Sequence, residues 1–245
     1  MSTAPGARDC AVIELRQYTL HPGRREALIE LFDREFVETQ EAVGMRVLGQ
    51  FRDLDDPDRF TWLRGFADMR ARRRGLEAFY GGPVWAAHRD AANATMADSD
   101  NVLLLRPARS GSAWTRERPR PAAGAGGCAP GLLDGTVFAL REPASPALLD
   151  LVCGRAAQVL REGGALDVGW YTNEPAPNDF PRLPVREKEQ VLLGLALFAD
   201  APAFDAFVRA GRWQREIAPA LQPCLAAAPE TRRLCPTARS ALRAG

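Results

Sequence analysis

Residues 11–20 read AVIELRQYTL, and the fold turns on their alternation. Ile13, Leu15 and Gln17 fall on one side of an extended chain, and Glu14, Arg16 and Tyr18 fall on the other. A period of two predicts a strand with one apolar and one polar face. His21-Pro22-Gly23 then turns the chain. Within residues 24–42, Leu28, Leu31, Phe32 and Phe36 recur at helical spacing among charges. GMRVLGQFRDL (44–54) predicts a second strand, Asp55-Asp56-Pro57-Asp58 a turn, and RFTWLRGFA (59–67) a third strand. An arginine-rich helix over 68–80 breaks at Gly81-Gly82, and Pro83 opens another that runs to about 97. DNVLLLR (100–106) supplies a fourth strand. The order β-α-β-β-α-β is that of a ferredoxin-like unit.

Beyond it, residues 106–131 read RPARSGSAWTRERPRPAAGAGGCAPG, a stretch without apolar period. The chain is therefore expected to divide into a unit over 10–108, a linker over 109–131 and a divergent second unit over 132–242. In the second unit, GTVFALR (135–141), ALDVGWYT (165–172), EQVLLGLALFA (189–199) and TRRLCP (231–236) predict strands. Helices are expected over 146–162 and 202–228, the latter interrupted near Pro219, with a Pro-rich loop over 173–187. Phe66-Ala67-Asp68 is echoed by Phe198-Ala199-Asp200, and Leu105-Arg106-Pro107 by Leu234-Cys235-Pro236. The class is α+β. Two tandem ferredoxin-like units can cover each other's bare sheet faces, giving a pseudo-dimeric α/β barrel within one chain.

Composition limits the chemistry. The 245 residues are 46% hydrophobic and 26% charged, ordinary for a globular chain. Thirty-two basic and 31 acidic groups leave a net charge of +1, so no global field draws the chain to nucleic acid or to anionic membrane. Cys10, Cys128, Cys153, Cys224 and Cys235 are odd in number and lack C-x-x-C spacing, which indicates neither a disulfide framework nor a structural zinc. His21 and His88 are the only histidines, too few for a three-histidine metal site. Lys188 is the only lysine, which excludes most lysine chemistry and reads most simply as the bias of a GC-rich bacterial genome. No run approaches the ~18 apolar residues of a membrane span, and residues 1–10 hold no apolar signal core, so the cytoplasm is the expected compartment.

Four segments carry a family resemblance: VIELRQYTLHPGR (12–24), FTWLRGFADM (60–69), LEAFYGGPVWAAHRDAANATM (76–96) and SDNVLLLRPA (99–108). In that order and spacing, residues 11–108 resemble the NIPSNAP family of the dimeric α/β-barrel superfamily. The resemblance implies the ferredoxin-like fold and the tandem arrangement, and it assigns no reaction. Related α/β-barrel families include cofactor-free monooxygenases, polyketide cyclases, lactone isomerases and haem-binding enzymes; likeness of fold does not choose among them.

Two constellations carry candidate chemistry. Glu14, Arg16 and Tyr18 share a strand face, as do Trp62 and Arg64. They form either an anion- or enolate-binding pocket or an interface between the half-barrels. Trp85, His88, Arg89, Ala92 and Met96 recur at helical spacing, with Tyr80 just before the glycine break. His88 is then a general base with Tyr80 as partner donor, or it belongs to a stripe packed on the sheet. Arg70, Arg72, Arg73 and Arg74 read as a solvated face, and the aspartates of 53–58 as turn chemistry. The expected function is binding of a small aromatic or carbonyl metabolite in a barrel cavity. Isomerase- or cyclase-like proton transfer there requires no cofactor and no metal. The alternative is a non-catalytic binding or scaffold protein. A homodimer of the tandem barrel is one assembly the pattern allows.

Overall fold

The computed structural model describes residues 9–245. β1 (Val12–Leu20), β2 (Arg46–Asp53), β3 (Arg59–Phe66) and β5 (Val102–Pro107) form the first sheet in the order β5-β1-β3-β2. β6 (Leu132–Leu140), β7 (Asp167–Asn173), β8 (Gln190–Phe198) and β9 (Glu230–Pro236) form the second in the equivalent order β9-β6-β8-β7. The sheets join edge to edge at two like seams. β2 pairs β9 through Phe51–Pro236, Arg52–Cys235 and Asp53–Leu234, and β5 pairs β7 through Leu105–Asn173, Arg106–Thr172 and Pro107–Tyr171. Every pairing is antiparallel, and the result is a closed eight-stranded barrel whose main strands keep no free edge.

The alternation in β1 decides what lies inside. Ile13 and Leu15 point into the barrel with Leu63, Leu103 and Leu105, and meet Leu133, Val137, Leu193, Leu195 and Leu197 from the second sheet. A barrel of eight strands is just wide enough for such side chains to fill. Trp114 and Leu242 join the same cluster. The barrel interior is thus packed core, and the cavity expected within it lies elsewhere.

Helices cover the outer faces. α1 (Arg25–Leu31) and α2 (Val37–Ala42) are joined by a π-helical turn at Phe32–Phe36. α3 (Met69–Tyr80) and α4 (Pro83–Asn93) complete the first layer. In the second half α5 (Pro146–Leu151) and α6 (Ala157–Glu162) are likewise joined by a π-helical turn, at Val152–Ala156. α7 (Ala201–Ala210), α8 (Arg212–Glu216) and α9 (Ala218–Leu221) complete that layer. The repeated Phe-Ala-Asp ends in matching caps. Asp68 accepts from the Ala71 amide at 2.6 Å to start α3, and Asp200 accepts from the Ala203 amide at 2.8 Å to start α7.

Three expectations need adjustment. α4 stops at Asn93, short of residue 97, because the chain turns to add a short strand β4 (Met96–Asp98) to the end of β1. β6 begins at Leu132, three residues before the expected Gly135, because its hydrogen-bonded ladder with β8 runs from Leu132–Phe198 to Leu140–Gln190. The 109–131 stretch has no helix or strand, yet it is no loose tether. Trp114 is buried and donates its amide to Tyr171 Oη at 2.8 Å, the amides of Thr115 and Arg116 donate to Asp167 Oδ2 at 2.9 and 2.6 Å, and Arg120 grips Glu41.

Candidate functional site

The outward face of β1 carries Glu14, Arg16 and Tyr18 under α1–α3, and β3 sets Arg64 opposite Glu14 and Trp62 opposite Arg16. Glu14 is completely buried. It accepts from Arg16 Nη1 at 2.9 Å, Arg64 Nε at 2.8 Å and Arg72 Nε at 2.7 Å. Burial alone would raise this carboxyl, but the guanidiniums of Arg64, Arg16 and Arg72 outweigh it and hold Glu14 well below the usual carboxylate range. Arg72, expected on a solvated face, is fully buried and also pairs Asp179 of the Pro-rich loop. Its position four residues after the Asp68 cap turns it inward, away from exposed Arg73. Arg16 Nε donates to Tyr18 Oη at 2.8 Å, and Arg64 Nη1 donates to Tyr80 Oη at 3.4 Å.

These candidates therefore meet, but in a filled space. Tyr18, Trp62, Tyr80 and Trp85 border a void of about 30 Å³, the room of a water molecule. Trp85 packs on Tyr80 with ring centroids 4.9 Å apart. His88 lies apart from Tyr80. Its Nε2 is 3.6 Å from Glu35 Oε2, its ring stands edge-on to Phe36, and the side chain is 32% exposed. Arg89 is exposed beside Asp90.

The second half holds the room. A cavity of about 400 Å³ lies between the outer face of its sheet and α7–α9. β6, like β1, has nine residues with an acid third, Asp134 in place of Glu14. β8 sets Ala196 opposite Asp134 and Gly194 opposite Thr136, where β3 sets Arg64 and Trp62 opposite Glu14 and Arg16. Phe204 follows the Asp200 cap by four residues, as Arg72 follows Asp68. Thr136, Ala196 and Phe204 thus stand where the first half has its three arginines. Gly194 stands where it has Trp62. All four line the cavity with Asp134. Gly194 has a packing duty as well: a Cβ there would meet the Trp170 ring at 2.7 Å.

Trp170 and Trp213 lie nearly parallel across this space, at 9° with centroids 6.4 Å apart, and Phe138 tilts against both. Among the described residues that line the cavity, Asp134 is the only charged one. Its one hydrogen-bond donor among the described residues is Thr136 Oγ1, at 3.4 Å from Oδ1. The side chain keeps some accessible surface but is densely surrounded, and burial pushes its carboxyl up to about 6 against the opposing pull of Thr136.

Fold and site together define an α/β barrel of two ferredoxin-like sheets with an open cavity outside the barrel wall. The NIPSNAP family model matches residues 13–110, within the first half of the chain. No curated protein matches the sequence. Among solved structures, a proposed monooxygenase from Lactobacillus acidophilus is similar over 94% of this chain and 96% of its own, at 12% identity and a TM-score of 0.59. One from Fusobacterium nucleatum is similar over 96% and 94%, at 10% identity and a TM-score of 0.60. An anthrone oxidase-like protein is similar over 98% and 99%, at 14% identity and a TM-score of 0.53. At such identities the likeness is one of fold across both halves. No helix among the described residues is long and apolar enough to cross a membrane.

Proposed function

We propose that the chain, built as two units over 10–108 and 132–242, binds a small flat aromatic or carbonyl compound in the cavity of its second unit. The observation that carries this reading is the cavity itself. Its 400 Å³ lies in the range of small-molecule sites, and its walls are mostly apolar with few polar groups. The buried indole N–H of Trp170 has no hydrogen-bond partner among the described residues. The first unit's buried ion cluster has the role of holding α3 and the Pro-rich loop on the sheet. Glu14, Arg16, Tyr18, Trp62, Arg64, Tyr80, Trp85, His88 and Arg89 then lie outside the ligand site.

Fluorescence titration with 2-tetralone tests this, because Trp170 and Trp213 wall the cavity. Wild type and Arg64→Ala should show saturable quenching. Ala196→Phe, which puts a ring into the cavity opposite Asp134, should lower affinity at least tenfold while keeping the native circular dichroism. Equal affinity in wild type and Ala196→Phe would place the ligand elsewhere and end the reading.

A further inference from the structure

We infer that Asp134 takes a proton from the bound compound and that Thr136 and Thr231 carry it to solvent; this rests on the ligand-binding reading above. Three observations support it. Asp134 faces an apolar cavity with no cation beside it among the described residues. Its cross-strand neighbour Arg233 is turned to Asp55, Arg232 lies toward Asp53, and Arg212 of α8 is held by Glu162 and Glu216. β8 offers Ala196, β7 offers Trp170, and the helices offer Gln214 and Gln222, all uncharged. Second, Thr136 Oγ1 lies 3.4 Å from Asp134 Oδ1 and 3.2 Å from Thr231 Oγ1, and Thr231 is exposed. Two hydroxyls thus link the carboxyl to water, and each can accept one proton as it gives another. Third, the carboxyl titrates close to neutral pH, where a base both exists ionised and returns its proton readily.

The step is a proton transfer alone. An ionised Asp134 oxygen forms the new O–H bond with a proton on the carbon beside the ligand's carbonyl. The C–H pair becomes the C=C bond and the carbonyl π pair moves to oxygen, giving the enol(ate). Delivery of a solvent proton to that carbon, back through Thr231, Thr136 and Asp134, leaves an exchanged ketone, and delivery to a conjugated carbon leaves an isomerised one; either restores the carboxylate. No electron is gained or lost overall.

The test is α-hydrogen exchange of 2-tetralone in D₂O, followed by proton NMR, with binding read in parallel by tryptophan quenching. Wild type should accelerate exchange about a hundredfold over buffer, in the range of general base catalysis. The rate should rise with pH through about 6 and then level. Asp134→Asn should lose the acceleration while still binding 2-tetralone. Thr136→Val should slow exchange several-fold, and Thr136→Ser should restore it. Equal exchange in wild type and Asp134→Asn, with binding intact, would overturn the inference and leave the ligand site standing. Binding of 2-aminotetralin at least tenfold tighter than 2-tetralone, lost in Asp134→Asn, would overturn it in favour of charge pairing. Absence of 2-tetralone binding altogether would remove both readings.

Discussion

Glu14 and Asp134 occupy the same place in two copies of one fold, yet their surroundings give them opposite chemistry. Around Glu14 three guanidiniums fill the space between sheet and helices. Around Asp134 the matching positions are Thr136, Ala196 and Phe204, and a cavity opens. The first acid is locked in its ionised form, and the second can change its protonation. What separates a structural pair from a reactive group here is chiefly the set of counter-charges, since strand position and register are shared.

The largest effect should come from breaking the compensated site. Glu14→Gln leaves three buried arginines without their shared carboxylate, and removing one partner of a buried pair costs about 3–5 kcal/mol. Urea unfolding at pH 7 should show that loss. The Glu14 carboxyl is lowered in the folded chain, so its contribution is complete above the ordinary carboxylate range and is lost as pH falls below it. The gap between wild type and Glu14→Gln should accordingly narrow below about pH 4. A difference under 1 kcal/mol at pH 7 would mean that the cluster does not depend on its one central acid.

The converse change should act in the converse direction. Asp134 is raised to about 6 from an ordinary 3.8, so its folded form holds a proton more tightly than its unfolded form. The stability linked to it is therefore complete below about pH 4 and is lost as pH rises through about 6. Asp134→Asn removes a carboxylate that burial penalises. With 1.36 kcal/mol per tenfold and part of the side chain still meeting water, a gain of about 2 kcal/mol is expected at pH 7.5. The gain should vanish at pH 4. Destabilisation by Asp134→Asn at pH 7.5 would show that an unseen cation compensates this acid and that the two halves are alike after all.

How much of this could be read from the residues differs between the halves for a physical reason. The strict alternation of 11–20 places Glu14, Arg16 and Tyr18 on one face, and β3 brings Trp62 and Arg64 to them as expected. The burial of Arg72 escapes a view that sums charge along a helix, because this one arginine shares the buried face of α3 with Leu76 and Phe79 and finds an acid across the layer. Asp134 is harder to see, since it precedes Gly135, a residue that weakens the strand pattern, and a Pro/Gly-rich stretch runs up to it. The cavity is less legible still. It is made by what Gly194 and Ala196 lack, and in EQVLLGLALFA those residues read only as part of a buried strand. The register that sets them opposite Thr136 and Asp134 is a long-range fact, and no local spacing carries it.

The smallest effect is expected where helical spacing alone suggested a reactive group. His88 belongs to α4, whose spacing of Trp85, His88, Arg89 and Ala92 is truly helical, yet Ala92 is the one buried residue of that helix. Only a partly exposed imidazole 3.6 Å from Glu35 and the edge of Phe36 are at stake. Exposed pairs of this kind contribute about 0–1 kcal/mol. His88→Ala should therefore change stability by less than about 0.5 kcal/mol, leave 2-tetralone binding unaltered, and leave its exchange rate and pH profile those of wild type. The profile is the sharper measure, because it follows the group whose protonation limits exchange, and only substitution assigns that group to a residue. A tenfold loss of exchange in His88→Ala, with binding kept, would return the chemistry to the first half and make the second half's cavity a place for ligand without a reaction.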